Sequence, residues 1–420
     1  MSSYLSNSVS ALAVAGALFT PGLRLSWAQE AAPAPAAAPA VTPAAPAAPA
    51  AAAGARGGRG GGGGGGALNS PEVNTTERTF TVRFRAPNAT EVVVIGEIDG
   101  KPNYPMTKGE NGIWSVKIGP LRPDVYNYQI RVDGIVAMDP ANPQVKLGFG
   151  GFPPASLVEI PGPESDFQDT RPVPHGSIRV ETYHAKVFGG APRTLWVYTP
   201  PGYDSGTERY PVLYLLNGSG NTDSSWIMTG RANTILDNLI ADGKAKPMIL
   251  VSPMGYPRTG VGTGPDQNLT AAATASGAGF WYEREFKQDI LPYVDGKFRT
   301  LTDADNRAIG GLSMGGGHTM QIGLPNTDTF HSIIVMSAGG GNTDQYAEFF
   351  NNAEATNKKM KVVWVGAGSA DFAMNGARAL DAALTTKGIK HEPLWVMDGA
   401  RHEWNVWRHA LRDVAPLLFR

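Results

Sequence analysis

The sequence predicts an α/β fold with a mostly parallel sheet, preceded by a small all-β sandwich of the immunoglobulin type. From about Val73 to Pro161, short strand-like segments are separated by Gly, Pro and Asn, a pattern typical of sandwiches. From about residue 175 to residue 420, strand-like and helical segments alternate. This alternation indicates a mostly parallel sheet that helices cover on both faces.

The predicted sandwich, residues 73–161, is best marked by the segment Arg78–Arg85, in which Phe80, Val82 and Phe84 share one face. Further strands are predicted at Glu91–Ile98, Ile113–Ile118 and Val125–Val132. Trp114 is the one conspicuous aromatic residue of this part, and it fits either a core or a binding surface. The sequence therefore shows no clear platform for a ligand here.

The predicted α/β domain, residues 175–420, combines β-branched runs with amphipathic segments. Its strands are predicted at Ile178–Tyr183, Thr194–Tyr198, Val212–Leu216, Met248–Ser252, Arg307–Leu312, Ser332–Ser337, Lys361–Gly366 and Pro393–Met397. Its helices are predicted at Arg231–Ala241, Trp281–Phe298, Met314–Leu324, Met374–Lys387 and Trp404–Leu418.

The first 72 residues are not expected to join either domain. Residues 1–28 resemble an export signal, with the apolar run Ala11–Phe19 and small residues at Ser26 and Ala28 for cleavage, although no Lys or Arg precedes the run. A disordered tail or a wrongly chosen start codon is the alternative. Residues 29–72 are nearly all Ala, Pro and Gly and predict a disordered linker. We therefore expect a secreted or periplasmic protein.

The composition excludes several function classes. With 36 basic and 37 acidic side chains there is no excess charge for a nucleic-acid partner. No apolar run reaches the length of a membrane span, and the absence of cysteine excludes disulfides and thiolate chemistry. No His or carboxylate cluster has metal-ligand spacing, so neither a metal nor another cofactor is expected. The oligomeric state is not indicated.

The segment Gly311–Gly315 fits the pattern G-x-S-x-G, with Ser313 at its centre. This pattern is typical of the α/β-hydrolase fold, where the serine lies on a sharp turn between a strand and a helix. A predicted strand precedes the motif and a predicted helix follows it. Ser313 is therefore the candidate nucleophile, in preference to a packing turn that happens to contain glycines.

A serine nucleophile needs an acid and a base, in the chain order Ser, Asp, His for this fold. Asp371 and His402 each follow a predicted strand beyond the motif, so they should meet Ser313 at one edge of the sheet. Asp344 is a second candidate for the acid, after the strand one position earlier. His318 lies on the helix after Ser313 and is expected to pack or to face solvent.

The oxyanion of the reaction needs two N–H donors. The backbone amide of Met314 is expected to supply one donor. The loop Asn217–Gly220 is expected to supply the other, unless it is an ordinary glycine-rich turn.

From Ser177 to Arg420 the chain resembles the carbohydrate esterase family of feruloyl and acetyl-xylan esterases, related to esterase D. The resemblance rests on Tyr210–Leu216, Gly230–Asn233, Asp237–Ile240, Arg307–Gly316 and His402 with Trp404 and Trp407. It implies an α/β-hydrolase fold and assigns Ser313, Asp371 and His402 to the triad. It also assigns the amides of Met314 and Ser219 to the oxyanion hole. One departure is Asn217, where the family usually has His, and we expect it to tune activity rather than abolish it.

The sandwich resembles the early-set, glycogen-binding-like modules that precede such esterases, a likeness carried by Asp139-Pro140 and Asn142-Pro143. In relatives these modules either bind glycan or pack on the esterase and shape its cleft. The second role is the one we expect here.

The motif and its predicted partners indicate a serine ester hydrolase that acts through an acyl-enzyme. The resemblance implies that it removes feruloyl or acetyl groups from a plant polysaccharide such as xylan. The partner is then a cell-wall polysaccharide or oligosaccharide ester. Trp226, Trp281 and Trp404 are candidates to line an acyl pocket, and a core position is equally compatible with each. The alternatives are a siderophore (enterochelin-type) esterase and a glycan-binding protein that keeps the esterase fold without activity.

Overall fold

The computed structural model describes residues 68–98, 100–149, 152–259, 269–270 and 280–420. The predicted signal peptide and the predicted linker as far as residue 67 lie outside these residues. The predicted strands of the sandwich and of the α/β domain lie within them.

The N-terminal part is a sandwich of two antiparallel sheets, with strand orders β1-β2-β6-β5 and β4-β3-β7-β10-β9, where β8 pairs with β7. Its strands are β1 Glu72–Asn74, β2 Thr79–Arg85, β3 Val92–Ile98, β4 Lys101–Pro105, β5 Thr107–Lys108, β6 Ile113–Ile118, β7 Asp124–Val132, β8 Ile135–Ala137, β9 Val145–Lys146 and β10 Ala155–Ile160. Alternate residues of β2, such as Phe80 and Val82, pack with Tyr128 of β7 in the core between the sheets. Trp114 is also buried, and its Nε1 donates to the carbonyl of Ala86, so it is a core residue.

The C-terminal part is built on an eight-stranded sheet of order β11-β12-β14-β13-β15-β16-β17-β18. Its strands are β11 Ser177–Ala185, β12 Ala191–Thr199, β13 Val212–Leu216, β14 Ile249–Pro253, β15 Arg307–Leu312, β16 Ser332–Met336, β17 Val362–Gly368 and β18 Trp395–Met397. The first three strands in this order pair antiparallel, and all later pairs are parallel. The predicted fold class is confirmed.

Both faces of this sheet are covered. On β13, Val212 and Tyr214 pack in one core while Leu213 and Leu215 pack in the other, because successive side chains of a strand point to opposite faces. The described helices are α1 Ser225–Met228, α2 Ala232–Ala241, α3 Trp281–Glu285, α4 Leu291–Lys297, α5 Met314–Gly323, α6 Ala347–Phe350, α7 Ala353–Lys359, α8 Met374–Thr386 and α9 Trp404–Val414. None of these helices is long and apolar enough to cross a membrane.

A buried ion pair joins the sandwich to the α/β domain. Asp124, the first residue of β7, accepts hydrogen bonds from Nε and Nη2 of Arg408 on α9, at 3.2 and 2.7 Å. Both side chains are almost completely buried. Nη2 of Arg408 also donates to the carbonyl of Val125. Because α9 begins two residues after His402, this contact ties the sandwich to the segment that carries the candidate base.

Candidate active site

Ser313 occupies the turn between β15 and α5. Its backbone angles, φ 53° and ψ −118°, lie in a region that residues with a side chain rarely adopt. The turn is held by a hydrogen bond of 2.9 Å from the Ser313 amide to the carbonyl of Met336. This strained turn between a strand and a helix is the arrangement that exposes a nucleophilic serine above a sheet.

The glycines of the motif allow two backbone segments to approach closely at this turn. A Cβ added to Gly311 would lie 2.5 Å from the carbonyl oxygen of Gly315. A Cβ added to Gly315 would lie 2.6 Å from the carbonyl oxygen of Leu216, at the end of β13. Real Cβ atoms do not come this close to backbone, so neither position accommodates a larger residue.

Gly315→Ala is therefore expected to destabilise the fold by about 1–3 kcal/mol, because the new methyl group must displace the backbone at Leu216. Chemical denaturation of the purified variant measures this change. Gly317→Ala on the same helix is the matched control, since a Cβ there meets nothing within 4 Å and alanine favours helix. Equal stability of the two variants would contradict the prediction.

Asp371 and His402 form a hydrogen-bonded pair at the edge of the sheet where β17 and β18 end. Nδ1 of His402 lies 2.8 Å from Oδ1 and 3.0 Å from Oδ2 of Asp371. The Asp371 side chain is inaccessible to solvent, whereas His402 keeps part of its ring exposed. Burial alone would raise the pKa of the Asp371 carboxyl, but hydrogen bonds from His402, the Ala373 amide and the Ser337 hydroxyl together lower it. Asp371 is therefore a carboxylate that orients the imidazole.

The two rival residues lie elsewhere. Asp344 is exposed in a short turn after β16, and His402 pairs with Asp371 instead. His318 is half-buried on α5 and contacts the rings of Phe280 and Tyr282, and the loss of solvent around it lowers its pKa to about 4. Of these candidates, the structure brings Asp371 and His402 together.

Two aromatic rings hold the imidazole of His402 in place. The ring of Phe372 lies 4.2 Å from it, between centroids, and the ring of Trp407 lies 5.2 Å from it at nearly a right angle. Nε1 of Trp407 donates to the hydroxyl of Ser337, and that hydroxyl helps to lower the pKa of Asp371. The acid, the base and α9 therefore share one network of contacts.

Ser313 and His402 line one cavity of about 320 Å³. Gly218, Ser219 and Leu312 lie on its wall as well. No hydrogen bond between the Ser313 hydroxyl and His402 is present among the described side chains, and such bonds are often long before substrate binds. Because Nδ1 is bonded to Asp371, Nε2 is the ring nitrogen left for Ser313.

The two predicted oxyanion donors flank this cavity. The amides of Met314 and Ser219 donate to no backbone or side-chain acceptor among the described residues. The next amide along the loop, that of Gly220, donates to the hydroxyl of Tyr256 at 2.6 Å and holds the loop in place. The unpaired amides at Met314 and Ser219 suit the transient oxyanion that a serine hydrolase must bind.

Asn217 supports this loop from behind. Its side chain is buried, and Nδ2 donates to the Ser252 hydroxyl at 2.9 Å and to the Pro253 carbonyl at 3.4 Å. These contacts attach the loop to the end of β14. The residue found in place of the family's usual His is thus a loop anchor and not a wall of the cavity.

The three predicted substrate-binding tryptophans have different positions. Trp404 borders the cavity, but it is only 2% exposed and is mainly a core residue. Trp226 is completely buried behind it, with ring centroids 5.3 Å apart, and its Nε1 donates to the Leu216 carbonyl. Trp281 packs against Phe188 on the other side of the sheet and is not among the described residues of the cavity wall. Trp226 and Trp281 are therefore packing residues, the alternative that the sequence left open for them.

Three further wall residues come from the sandwich and were not predicted. They are Glu97 on β3, Lys146 on β9 and Phe152 in the loop before β10. Nζ of Lys146 lies 3.6 Å from Oε1 of Glu97, and a Cβ on Gly220 of the oxyanion loop would collide with the Phe152 ring. The sandwich therefore packs on the α/β domain and shapes the cleft, as expected.

Among the described residues no group of three or more His, Asp or Glu side chains has a metal-binding arrangement.

Sequence comparison identifies a curated relative and two family models. Residues 70–142 match carbohydrate-binding module 48 (isoamylase N-terminal domain). An endo-1,4-beta-xylanase/feruloyl esterase from Xylanibacter ruminicola is 33% identical over 360 residues, which is 83% of this chain. The chain spans less than half of that relative's length, 46%.

Structure comparison supports the same fold. A mutant of the feruloyl esterase module from Clostridium thermocellum, complexed with sinapinate, superimposes with a TM-score of 0.50 and 24% identity, covering 62% of this chain and 93% of the module. The enterobactin esterase from Shigella flexneri superimposes with a TM-score of 0.58 and 18% identity. The superposition covers 80% of this chain and 92% of the enterobactin esterase. At these identities the likeness concerns the fold alone. Residues 188–418, more than half of the chain, match the family described as "Putative esterase", and the chain belongs to that family.

Proposed function

We propose that the protein is an exported serine ester hydrolase that removes a hydroxycinnamoyl group, such as feruloyl, or an acetyl group from plant polysaccharide esters. The observation that carries the proposal is the Asp371–His402 hydrogen bond at the same cavity as the strained Ser313. Nucleophile, oriented base and free amide donors are the parts that acyl transfer requires.

Acylation begins when Nε2 of His402 accepts the proton of the Ser313 hydroxyl as its oxygen attacks the ester carbonyl. The Asp371 carboxylate stabilises the imidazolium that forms, across the 2.8 Å hydrogen bond to Nδ1. The negative charge on the former carbonyl oxygen is met by the amides of Met314 and Ser219. The imidazolium then gives its proton to the leaving alcohol, and the acyl group remains on Ser313.

Deacylation repeats these steps with water in place of the alcohol. His402 removes a proton from the water, which attacks the acyl carbonyl and releases the acid. The same two amides stabilise the second oxyanion, so no further group has to be introduced.

The wall of the cavity favours an aromatic acyl group over acetate. Phe152 contributes a ring, and the almost completely buried Trp404 and Trp407 present only ring edges, and flat aromatic ligands gain contact area from such walls. The Xylanibacter relative is described as an endo-1,4-beta-xylanase/feruloyl esterase, and its second activity supports the same choice.

The decisive assay compares release of ferulate from feruloylated xylan fragments with release of acetate from acetylated xylan. We expect ferulate release to dominate, with methyl ferulate also cleaved. Acetate release alone would refute the hydroxycinnamoyl assignment and leave the esterase intact. Mass spectrometry of the protein recovered outside the cytoplasm tests export, since cleavage after Ala28 leaves Gln29 as the first residue.

A siderophore esterase is the second candidate, and one observation favours it. Lys101 and Arg401 lie at a cavity beside His402 and form no ion pair with the described residues, so they offer positive charge to an anionic catecholate. Parallel assays with enterobactin and methyl ferulate separate the two functions. Turnover of enterobactin more than tenfold faster than that of methyl ferulate would favour this candidate.

Asp371→Asn tests the role of the acid. The amide cannot hold the Nδ1–H tautomer of His402 or stabilise the imidazolium, so we expect kcat for methyl ferulate to fall by about 10⁴-fold. Steady-state kinetics on the folded variant measure this loss. The matched control is Asp344→Asn, which changes the exposed rival carboxylate and should leave kcat within twofold of the wild type. A large loss in the control would contradict the assignment.

A further inference from the structure

A second cavity of about 350 Å³ lies beside the cavity that holds Ser313. The two share Glu97, Phe372 and His402 as wall residues, so they meet at the imidazole. The wall of the second cavity comes from both domains. Gly96, Ile98, Gly100 and Lys101 belong to the sandwich, and Ala370, Arg401 and Glu403 belong to the loops of the acid and the base.

The chemistry of acylation decides which half of the ester lies nearest to this second cavity. The acyl group is bonded to Ser313 and must stay in the first cavity, with its carbonyl oxygen directed to the amides of Met314 and Ser219 in the proposed mechanism. The alcohol leaves from the side of His402, because the imidazolium must reach its oxygen to protonate it. A bulky alcohol therefore continues past His402, and the second cavity begins there.

Phe372 supplies a flat surface at this junction. Its side chain is 79% exposed, the highest exposure among the large hydrophobic residues of the described chain, and it contacts both cavities. A single exposed ring is common on protein surfaces, so the position of Phe372 between the two cavities, and not its exposure, is what points to a ligand. The apolar C–H face of a sugar ring is a suitable cover, because it packs flat on an aromatic ring while its hydroxyls remain directed outward.

Polar groups surround that surface. The side chains of Lys101 and Arg401 are exposed and form no ion pair with any described residue. Each offers several N–H donors and no acceptor, which suits the oxygen atoms of sugar hydroxyls. The Arg401 side chain lies across Gly100, where a Cβ would come 2.5 Å from Nε, and Gly100 also has a φ of 69°. The backbone conformation at Gly100 therefore favours glycine, and the Arg401 side chain uses the space that a Cβ would take.

We propose that the second cavity is the binding site for the sugar of the substrate, with the sugar ring stacked on Phe372 and its hydroxyls bonded by Lys101 and Arg401. This inference rests on the proposed esterase function. It makes the sandwich part of the substrate site through Lys101, and it identifies the substrate as an acylated oligosaccharide rather than a simple alkyl ester.

The test measures one ratio, kcat/KM for a feruloylated arabinoxylo-oligosaccharide divided by kcat/KM for methyl ferulate. Both esters contain the same acyl group, so the ratio reports only on the alcohol. Phe372→Leu keeps apolar bulk beside His402 but removes the flat ring, and we expect the ratio to fall about tenfold. Phe372→Tyr keeps the ring and should restore a ratio near that of the wild type. The double variant Lys101→Ala/Arg401→Ala should also lower the ratio about tenfold.

Ile135→Ala and Lys358→Ala are the controls, since both side chains are more than 70% exposed and neither lines either cavity. Both should keep the wild-type ratio. If Phe372→Leu and the double variant lower kcat/KM equally for both esters, the sugar site is refuted while the esterase function stands. If the wild type cleaves neither ester, the proposed function fails, and the sugar site fails with it.

Discussion

Ser313→Ala is expected to lower kcat for methyl ferulate by about 10⁶-fold, to the level left by binding and the oxyanion donors alone. The variant removes the oxygen that forms the acyl-enzyme in the proposed mechanism. Folding should be unaffected, because the Ser313 hydroxyl makes no hydrogen bond with the described residues and the alanine Cβ fits where the serine Cβ was. Steady-state kinetics with thermal unfolding of the same sample measure both effects.

A glycine variant sharpens this experiment. Ser313→Gly also lacks the hydroxyl, but it relieves the backbone strain at φ 53° that alanine retains. Both variants should be equally inactive, and the glycine variant should be more stable than the alanine variant by about 1 kcal/mol. Activity above about 1% of wild type in Ser313→Ala would refute the nucleophile. A wild type as inert as both variants on every ester would instead indicate the glycan-binding alternative.

The central strands of the sheet were predictable from sequence because their residues are buried on both sides. Val212–Leu216 and Arg307–Leu312 have the predicted bounds, since apolar runs flanked by turn residues leave little choice. The helix predicted from Trp281 is continuous in direction but contains a π-helical turn at Phe286–Ile290. That irregularity depends on local packing and has no clear pattern in the sequence.

Short edge strands of the sandwich were not predicted. Strands such as Thr107–Lys108 and Val145–Lys146 contain two residues, too few for an alternating pattern to be recognised. Each forms because a longer neighbouring strand has backbone N–H and C=O groups available for pairing. β10 is that neighbour for Val145–Lys146. Lys146 lies on such a strand, so its position at the cavity wall could not be predicted from the sequence.

The candidate triad was predictable for a topological reason. Ser313, Asp371 and His402 each follow a strand, and parallel strands bring their following loops to one edge. The substrate walls were not predictable in the same way. Whether a tryptophan such as Trp226 faces the cavity or the core depends on the rotation of its element about its own axis. The contribution of Phe152 depends on how two domains dock, which no local pattern encodes.

The buried ion pair between the two domains is expected to have the second large effect, on stability. Asp124→Ala should destabilise the protein by about 3–5 kcal/mol, because Arg408 is completely buried and would keep its charge without a partner. Burial alone would raise the pKa of Asp124, but attraction to Arg408 and hydrogen bonds from His409 and Gln168 lower it well below its usual range. A lowered carboxyl pKa stabilises the folded state above the unfolded pKa, and this contribution is lost only as the pH falls through the folded pKa.

Urea denaturation of the wild type and of Asp124→Ala at neutral pH measures the difference. Glu354→Ala is the matched control, because it breaks the ion pair with Lys358, which is also 2.7 Å long but exposed at both ends, and should cost less than about 0.5 kcal/mol. Adding Arg408→Met to Asp124→Ala removes the unpaired charge and should recover part of the loss. If the free energy of unfolding of Asp124→Ala lies within about 1 kcal/mol of the wild-type value, the pair does not hold the domains together. A large loss would mean that the esterase domain, with His402 two residues before α9, depends on the sandwich for its stability.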